Sequence, residues 1–260
     1  MILTKDNYFS KESDALYMSN SQYNSFIGSG IYPGCESMAL AKLRGEWVDE
    51  PNIAFQIGSF CDAHFEHTLP EFKFLNNDMF TLKGELKAPF KLAEEMIARA
   101  ESDEFFMDFM NGQKQVIMTG VMFNVPWKIK IDSYHPGRCL VDLKTTKSIR
   151  ERVWNGNMKV NFIEAGGYCQ QLAIYREIVR INTGELLPAF IAAISKENPI
   201  DIEIIEVPVL EMDMALEQVR MNIDHVMAVK NHDIPSTPCG KCAYCVLNKK
   251  LSSILSFYDL

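Results

Sequence analysis

The chain has 260 residues, 47% hydrophobic and 23% charged, enough apolar material for one large domain with a substantial core. Its net charge of -8 argues against a general nucleic-acid coat, which would be basic, yet leaves room for an enzyme with a local basic groove. No run approaches the roughly 18 apolar residues of a membrane helix, and MILTKDNYFSKESD lacks the apolar segment of a secretory signal, so a cytoplasmic protein without a membrane partner is expected.

Ser19-Asn-Ser-Gln22 reads as a capping box that opens a helix over 20–27. The segment GSGIYPG (28–34) is turn-rich, and a helix over 36–43 follows with Cys35 at its start. Residues 53–68 have helical apolar spacing, and 89–110 hold one or two amphipathic helices. Past residue 112 the pattern changes. Residues 115–125, 127–134 and 138–146 alternate and are rich in β-branched side chains, which predicts strands. A long helix at 163–181, strands at 187–195 and 201–207, and a helix at 209–230 complete the order. There is no internal repeat. The expectation is a single α/β domain: a mainly helical portion (1–112), a mixed-sheet core flanked by helices (113–230), and a Cys-rich tail (231–260).

The densest chemistry lies in KIKIDSYHPGRCLVDLKTT. Pro136-Gly137 signals a turn between two strands. A turn centred there sets position 132 opposite 141, and a loop one residue longer sets it opposite 142. Asp132 and Asp142 thus fall within one residue of cross-strand pairing, about 4.5–5.5 Å apart at Cβ. Two carboxylates so close repel, and a divalent cation between them removes the repulsion. Oxygen ligands suit Mg²⁺ or Mn²⁺, which can activate water against a phosphate. Lys144, two residues from Asp142, shares its face and can orient that water or offset phosphate charge. Leu143 points into the core, with its carbonyl available as a further ligand. The plainer alternative is an exposed hairpin with solvated charges. In the following helix Gln171 and Tyr175 are four apart and share a face.

In combination these residues resemble the PD-(D/E)XK nuclease superfamily, most closely phage RecE-type exonucleases and the nuclease domains of RecB and AddAB type. Asp132 with Asp142-Leu143-Lys144-Thr145-Thr146 is similar to the family's D…(D/E)-x-K-T-T signature, and Gln171 with Tyr175 to its Q-x-x-x-Y motif. The resemblance spans roughly 19–250 and is strongest at 127–175. It implies a restriction-endonuclease-like fold, with Asp132 and Asp142 on the metal, Lys144 assisting, and Gln171 and Tyr175 supporting the site. Family members often carry a metal-ligand histidine as G-x-x-x-H, whereas here Gly58-Ser-Phe-Cys-Asp62 has an aspartate at that position. Asp62 is then the candidate ligand, or part of a solvated acidic face with Glu66. His64 lies roughly 200° further around the helix.

Cys239, Cys242 and Cys245 form a C-x2-C-x2-C run among seven cysteines, an odd number that suggests no disulfide framework. One more soft ligand would complete an iron–sulfur cluster or a zinc site, with His232 a candidate for the latter, or the thiols bind nothing. Relatives of AddB and CRISPR-adaptation type hold a [4Fe-4S] cluster with one N-terminal and three C-terminal cysteines, which implies Cys35 as the fourth ligand. Cys61, Cys139 and Cys169 read as core residues.

The resemblance implies a DNA exonuclease acting on duplex ends in phage-type recombination, with a single-strand annealing protein as partner and a ring-like homo-oligomer. Two alternatives are a cluster-bearing CRISPR-adaptation or repair nuclease acting on single strands, and a non-catalytic nucleic-acid-binding protein of the same fold. Lys144, Lys147, Arg150 and Arg152 mark a candidate basic groove.

Overall fold

The computed structural model describes residues 1–50, 52–251, 254 and 256–259, so part of the expected tail lies outside it. The N-terminal portion is helical: α1 (Lys11–Leu16) and α2 (Asn20–Ile27) precede a two-stranded hairpin, β1 (Gly28–Ser29) and β2 (Tyr32–Pro33). Then come α3 (Glu36–Arg44), α4 (Ile53–Phe65), α5 (Leu69–Leu75), α6 (Ala88–Glu101) and α7 (Glu104–Met110). Ser19 caps α2 by accepting from the Gln22 N–H at 3.2 Å. The reciprocal half of the expected capping box is not made, because Gln22 Oε1 accepts from Lys230 Nζ at 2.7 Å instead. Asp103 separates α6 from α7 by capping Phe106, which resolves 89–110 into two helices.

Strands β3 (Gln113–Met122), β4 (Val125–His135) and β5 (Cys139–Thr146) follow, then a small hairpin of β6 (Val153–Trp154) and β7 (Lys159–Val160). The chain ends with α8 (Phe162–Gly166), α9 (Tyr168–Thr183), β8 (Ala189–Ser195), β9 (Ile202–Glu206), α10 (Val209–Lys230) and α11 (Ala243–Leu247). Strand order is β3-β4-β5-β8-β9, with only β5 and β8 parallel, so the expected mixed sheet is present. The β3–β4 turn falls at Phe123-Asn124, both at positive φ (54° and 60°) as a two-residue hairpin turn requires. Pro126 therefore starts a strand rather than interrupting one.

Apolar side chains alternate across the sheet and build a core on each face. Ala189, Ile191 and Ala193 pack with Ile174 and Ile178 of α9 and Ile223 of α10, while Ala192 and Ile194 pack with Phe60 of α4 and Met96 of α6. Leu143 lies in the second core, as its position beside Asp142 predicts.

The helix expected over 163–181 is two helices. Asn161 and Glu164 form a capping box for α8, which stops at Gly167 (φ 66°), and α9 starts at Tyr168. The β1–β2 hairpin packs against this junction, and a Cβ on Gly30 would stand only 2.0 Å from the Ala165 carbonyl. Contact that close needs glycine, and the break follows from it.

β4 and β5 pair over three residues only, Ser133–His135 with Cys139–Val141. The connection is the longer of the two considered, and it puts Asp132 in register with Asp142. There the strands part, and Met18 takes the free edge of β4: its N–H reaches the Pro126 carbonyl and its carbonyl accepts from Lys128 N–H, both at 2.8 Å.

Candidate active site

The split between β4 and β5 gathers the acidic residues. Asp142 is 2% exposed, and its Oδ1 accepts from Gln171 Nε2 of α9 at 2.6 Å. Its Oδ2 forms an ion pair with Lys144 Nζ and accepts no other hydrogen bond among the described residues. Asp132 Oδ2 accepts from the Leu143 N–H at 3.0 Å, filling the place a ladder bond would take. Leu140 and Thr146 turn their backbone groups toward β8. By strand alternation the Leu143 N–H and carbonyl therefore face the split.

Asp132 sits opposite a residue that the sequence pattern did not single out. Gln115 holds φ at +54° and interrupts the β3–β4 ladder between Lys114↔Ser133 and Val116↔Ile131. Its Nε2 donates to Asp132 Oδ1 at 3.3 Å, and its Oε1 is buried without a partner among the described residues. A non-glycine residue in this conformation is strained, and such strain is held where the surroundings impose it. β4 also changes sides here: Ser133 bonds to Phe109 of the second core, whereas Ile131, two residues away, belongs to the first. Alternation in the local sequence could not have disclosed that inversion.

Asp62 comes in from α4. Gly58, one turn earlier, faces Thr145 of β5. Burial, then the charges of Asp132 and Asp142, pushes the Asp62 carboxyl well above its usual range. Burial likewise raises Asp142 to about 6, although Lys144 opposes the shift. Burial works against the Lys144 charge, but Asp142 and Asp132 outweigh it and raise its pKa. Behind Lys144 the Tyr168 ring lies 4.8 Å from Nζ, set there by the α8–α9 break. Tyr175 is buried beside Gln171 and Tyr8, and burial keeps its phenol protonated. His64 is turned away and pairs with Glu101 at 2.7 Å.

Carboxylates raised by burial, an unpartnered amide oxygen and an inward carbonyl form an all-oxygen set short of positive charge. By donor type that set suits a hard divalent cation. In the candidate groove past β5, Lys147 pairs with Glu151 at 2.8 Å and Arg150 with Glu203 and Asp201, whereas Arg152 is exposed with no ion pair among the described residues.

A second cluster joins the two ends of the chain. The sulfurs of Cys35, Cys239, Cys242 and Cys245 all lie within 4.8 Å of one another, with Cys35–Cys245 at 3.5 Å and Cys239–Cys245 at 3.9 Å. Cys35 N-caps α3 and Cys242 N-caps α11. The N–H groups of Cys242 and Lys241 bring the Cys239 thiol down to about 6. His232 is not in this group. Cys61 and Cys139 are buried in the second core, and Cys169 packs against the first.

Residues 19–248 match the PDDEXK-like domain of unknown function (DUF3799). No curated protein matches the chain. It is similar to the crystal structure of a candidate exonuclease from Eubacterium rectale, with 46% identity over 100% of this chain and 98% of that one and a TM-score of 0.97.

Proposed function

The chain belongs to the PDDEXK-like family, and from that premise we propose that it is a divalent-metal-dependent DNA exonuclease hydrolysing phosphodiester bonds. One observation carries the reading: Asp142 is held from two sides, by Gln171 at 2.6 Å and by Lys144, directly across the sheet split from Asp132. Asp132, Asp142, Asp62 and the Leu143 carbonyl would hold Mg²⁺ or Mn²⁺. Such an ion supplies a more acidic water and offsets charge on the phosphate.

The remaining roles belong to side chains. Lys144, always charged here, can turn its ammonium from Asp142 to a phosphate oxygen as charge develops. Gln171 keeps Asp142 Oδ1 oriented, and Tyr175 packs behind Gln171. Gln115 orients Asp132. These polar pairings in a buried site argue against a scaffold that has lost catalysis, because charges without a task are costly to bury. The RecE-type resemblance supports duplex ends as substrate, recombination as the setting, and an annealing protein and homo-oligomer as partners. End-labelled linear duplex, circular duplex and single strands, each digested with Mg²⁺ and Mn²⁺, test the reading. Metal-dependent loss of label from linear DNA is expected. Equal activity in Asp142→Ala or Lys144→Ala protein would refute the assigned centre.

For the cysteines we read a single tetrahedral zinc ion in preference to a [4Fe-4S] cluster. Zn–S bonds of about 2.3 Å on a tetrahedron set sulfurs about 3.8 Å apart, and the observed 3.5 and 3.9 Å fit. A cube puts each thiolate on its own iron corner, pointing outward, which spreads the sulfurs further than this group allows. Metal analysis of anaerobically prepared protein should find zinc in a colourless sample. A brown, iron-bearing protein would reverse the assignment.

A further inference from the structure

Residues 1–18 precede the segment that the family model covers, yet they are tied to β4 and α10. Lys128 of β4, 1% exposed, donates to the Tyr8 carbonyl at 2.5 Å, Ser13 Oγ at 2.9 Å and Asp14 Oδ1 at 2.6 Å. Lys230 of α10 donates to the carbonyls of Asp14 at 2.8 Å and Tyr17 at 3.2 Å, and to Gln22 Oε1 at 2.7 Å. A buried ammonium is tolerated only with its donors satisfied, and here three of the six acceptors are main-chain carbonyls of the N-terminal segment. That arrangement holds the path of the segment as well as its side chains.

The anchoring presents two neighbouring aromatic residues in opposite ways. Tyr8 is buried, with the Lys128 ammonium 4.7 Å from its ring, and it senses the charge of Asp132. Phe9 is 73% exposed, although its ring is not loose. It stands edge-on to Tyr8 at 4.9 Å, and Lys130 Nζ lies over it at 5.1 Å. Lys130 Nζ is also 3.9 Å from Glu66, whose carboxyl senses both Asp132 and Lys5. An exposed phenylalanine is ordinary on a protein surface. One held edge-on by Tyr8 and covered on one side by Lys130, two residues from Asp132 in β4, keeps a flat apolar face open on the strand that carries that carboxylate.

We propose that Phe9 is a stacking platform for an unpaired base next to the scissile phosphate, with Lys130 and Lys5 facing the adjoining backbone. A nucleobase matches the surface: its π-face covers the open side of the ring, and its phosphates meet the two ammonium groups. The proposal rests on the hydrolytic reading of the centre and deepens it. The strand must reach the carboxylates with at least one base unstacked from its partner, as in a single strand or a frayed end.

The test uses the full chain and a single-stranded oligonucleotide carrying 2-aminopurine near the cleaved end, with Ca²⁺ to permit binding without hydrolysis. Wild-type protein should quench the probe. Phe9→Ala should bind roughly 5–100-fold more weakly, the range for loss of one base–aromatic stack, while Phe9→Trp restores binding. With Mg²⁺, the Phe9→Ala loss should fall on KM, with kcat changed less than about 3-fold, and it should vanish when the stacked nucleotide is abasic. Equal binding by wild type and Phe9→Ala overturns the proposal. So does an undiminished loss on the abasic strand, or the absence of quenching by wild type. A protein that quenches through Phe9 yet cleaves nothing with Mg²⁺ or Mn²⁺ keeps the platform and refutes the hydrolytic reading instead.

Discussion

The two polar clusters of this molecule differ in how they are assembled. The oxygen cluster is buried in the middle of the sheet, and two of its members are ten residues apart across one turn. The sulfur cluster lies at the edge, between residues as far as 210 apart in the chain. Asp142 and Asp62 are raised by burial among like charges, whereas Cys239 is lowered by backbone N–H groups aimed at its sulfur. The acidic site thus concentrates like charge in the interior, whereas the sulfur site, where burial raises the Cys35 and Cys242 thiols, ties segments remote in the chain together. Function and stability should separate along that line.

The largest effect expected is on rate. Asp142→Ala or Lys144→Ala should lower kcat by about 10²–10³-fold or more, with the metal content at the cysteines nearly unchanged and the fold retained at assay temperature. Unfolding of both variants would erase the contrast. Cys35→Ser or Cys245→Ser should do the reverse. The melting temperature should drop by about 10 °C, as roughly 3 kcal/mol does in a chain of this size, while residual activity below that temperature persists. Calorimetry and metal analysis of the same samples check it.

A pH series sharpens the acidic half. A carboxyl whose folded pKa is raised holds its proton better when folded, so stability falls as pH climbs from the unfolded value near 3.8 through about 6 for Asp142. A divalent cation competes for the same oxygens, so its stabilising effect should grow across that window. Melting curves with and without Mn²⁺ between about pH 4 and 7 read this directly. Asp142→Asn should flatten the dependence, and a metal effect independent of pH in wild type would contradict it.

Smaller effects follow at the margins. Gln115→Ala should cost about 10-fold in kcat, the equivalent of roughly 1.4 kcal/mol for one hydrogen bond to a charged group, without loss of fold. Lys147→Ala with Arg150→Ala should change DNA affinity less than about 2-fold, because both side chains are engaged in surface ion pairs. A large, salt-dependent loss in that double variant would restore the groove past β5.

Much of the site was legible locally. The Asp132 and Asp142 spacing needed only a turn signal, and Asp142, Lys144 and Leu143 follow from two-residue alternation. Gln171 and Tyr175 follow from helical spacing. Gln115 was hidden because its importance comes from a positive φ and from what lies opposite it, neither of which marks a strand sequence. The α8–α9 break was hidden for a related reason: Gly166-Gly167 is tolerable within a helix, and only the approach of Gly30 requires the interruption. The first eighteen residues carry no periodic pattern, and their place depends on two lysines far away in the chain.

Sequence alone thus determined the order of elements, the mixed α/β class and the identity of the acidic strand pair, because each depends on short-range periodicity and turn chemistry. Tertiary structure decided the rest. It opened the sheet between Asp132 and Asp142, brought Gln115 opposite Asp132 and Asp62 under their charge, closed Cys35 onto the distant tail, and laid Phe9 against Lys130. These are contacts between segments remote in the chain, chosen by which buried charges and thiols could find partners, and no local pattern encodes such a choice.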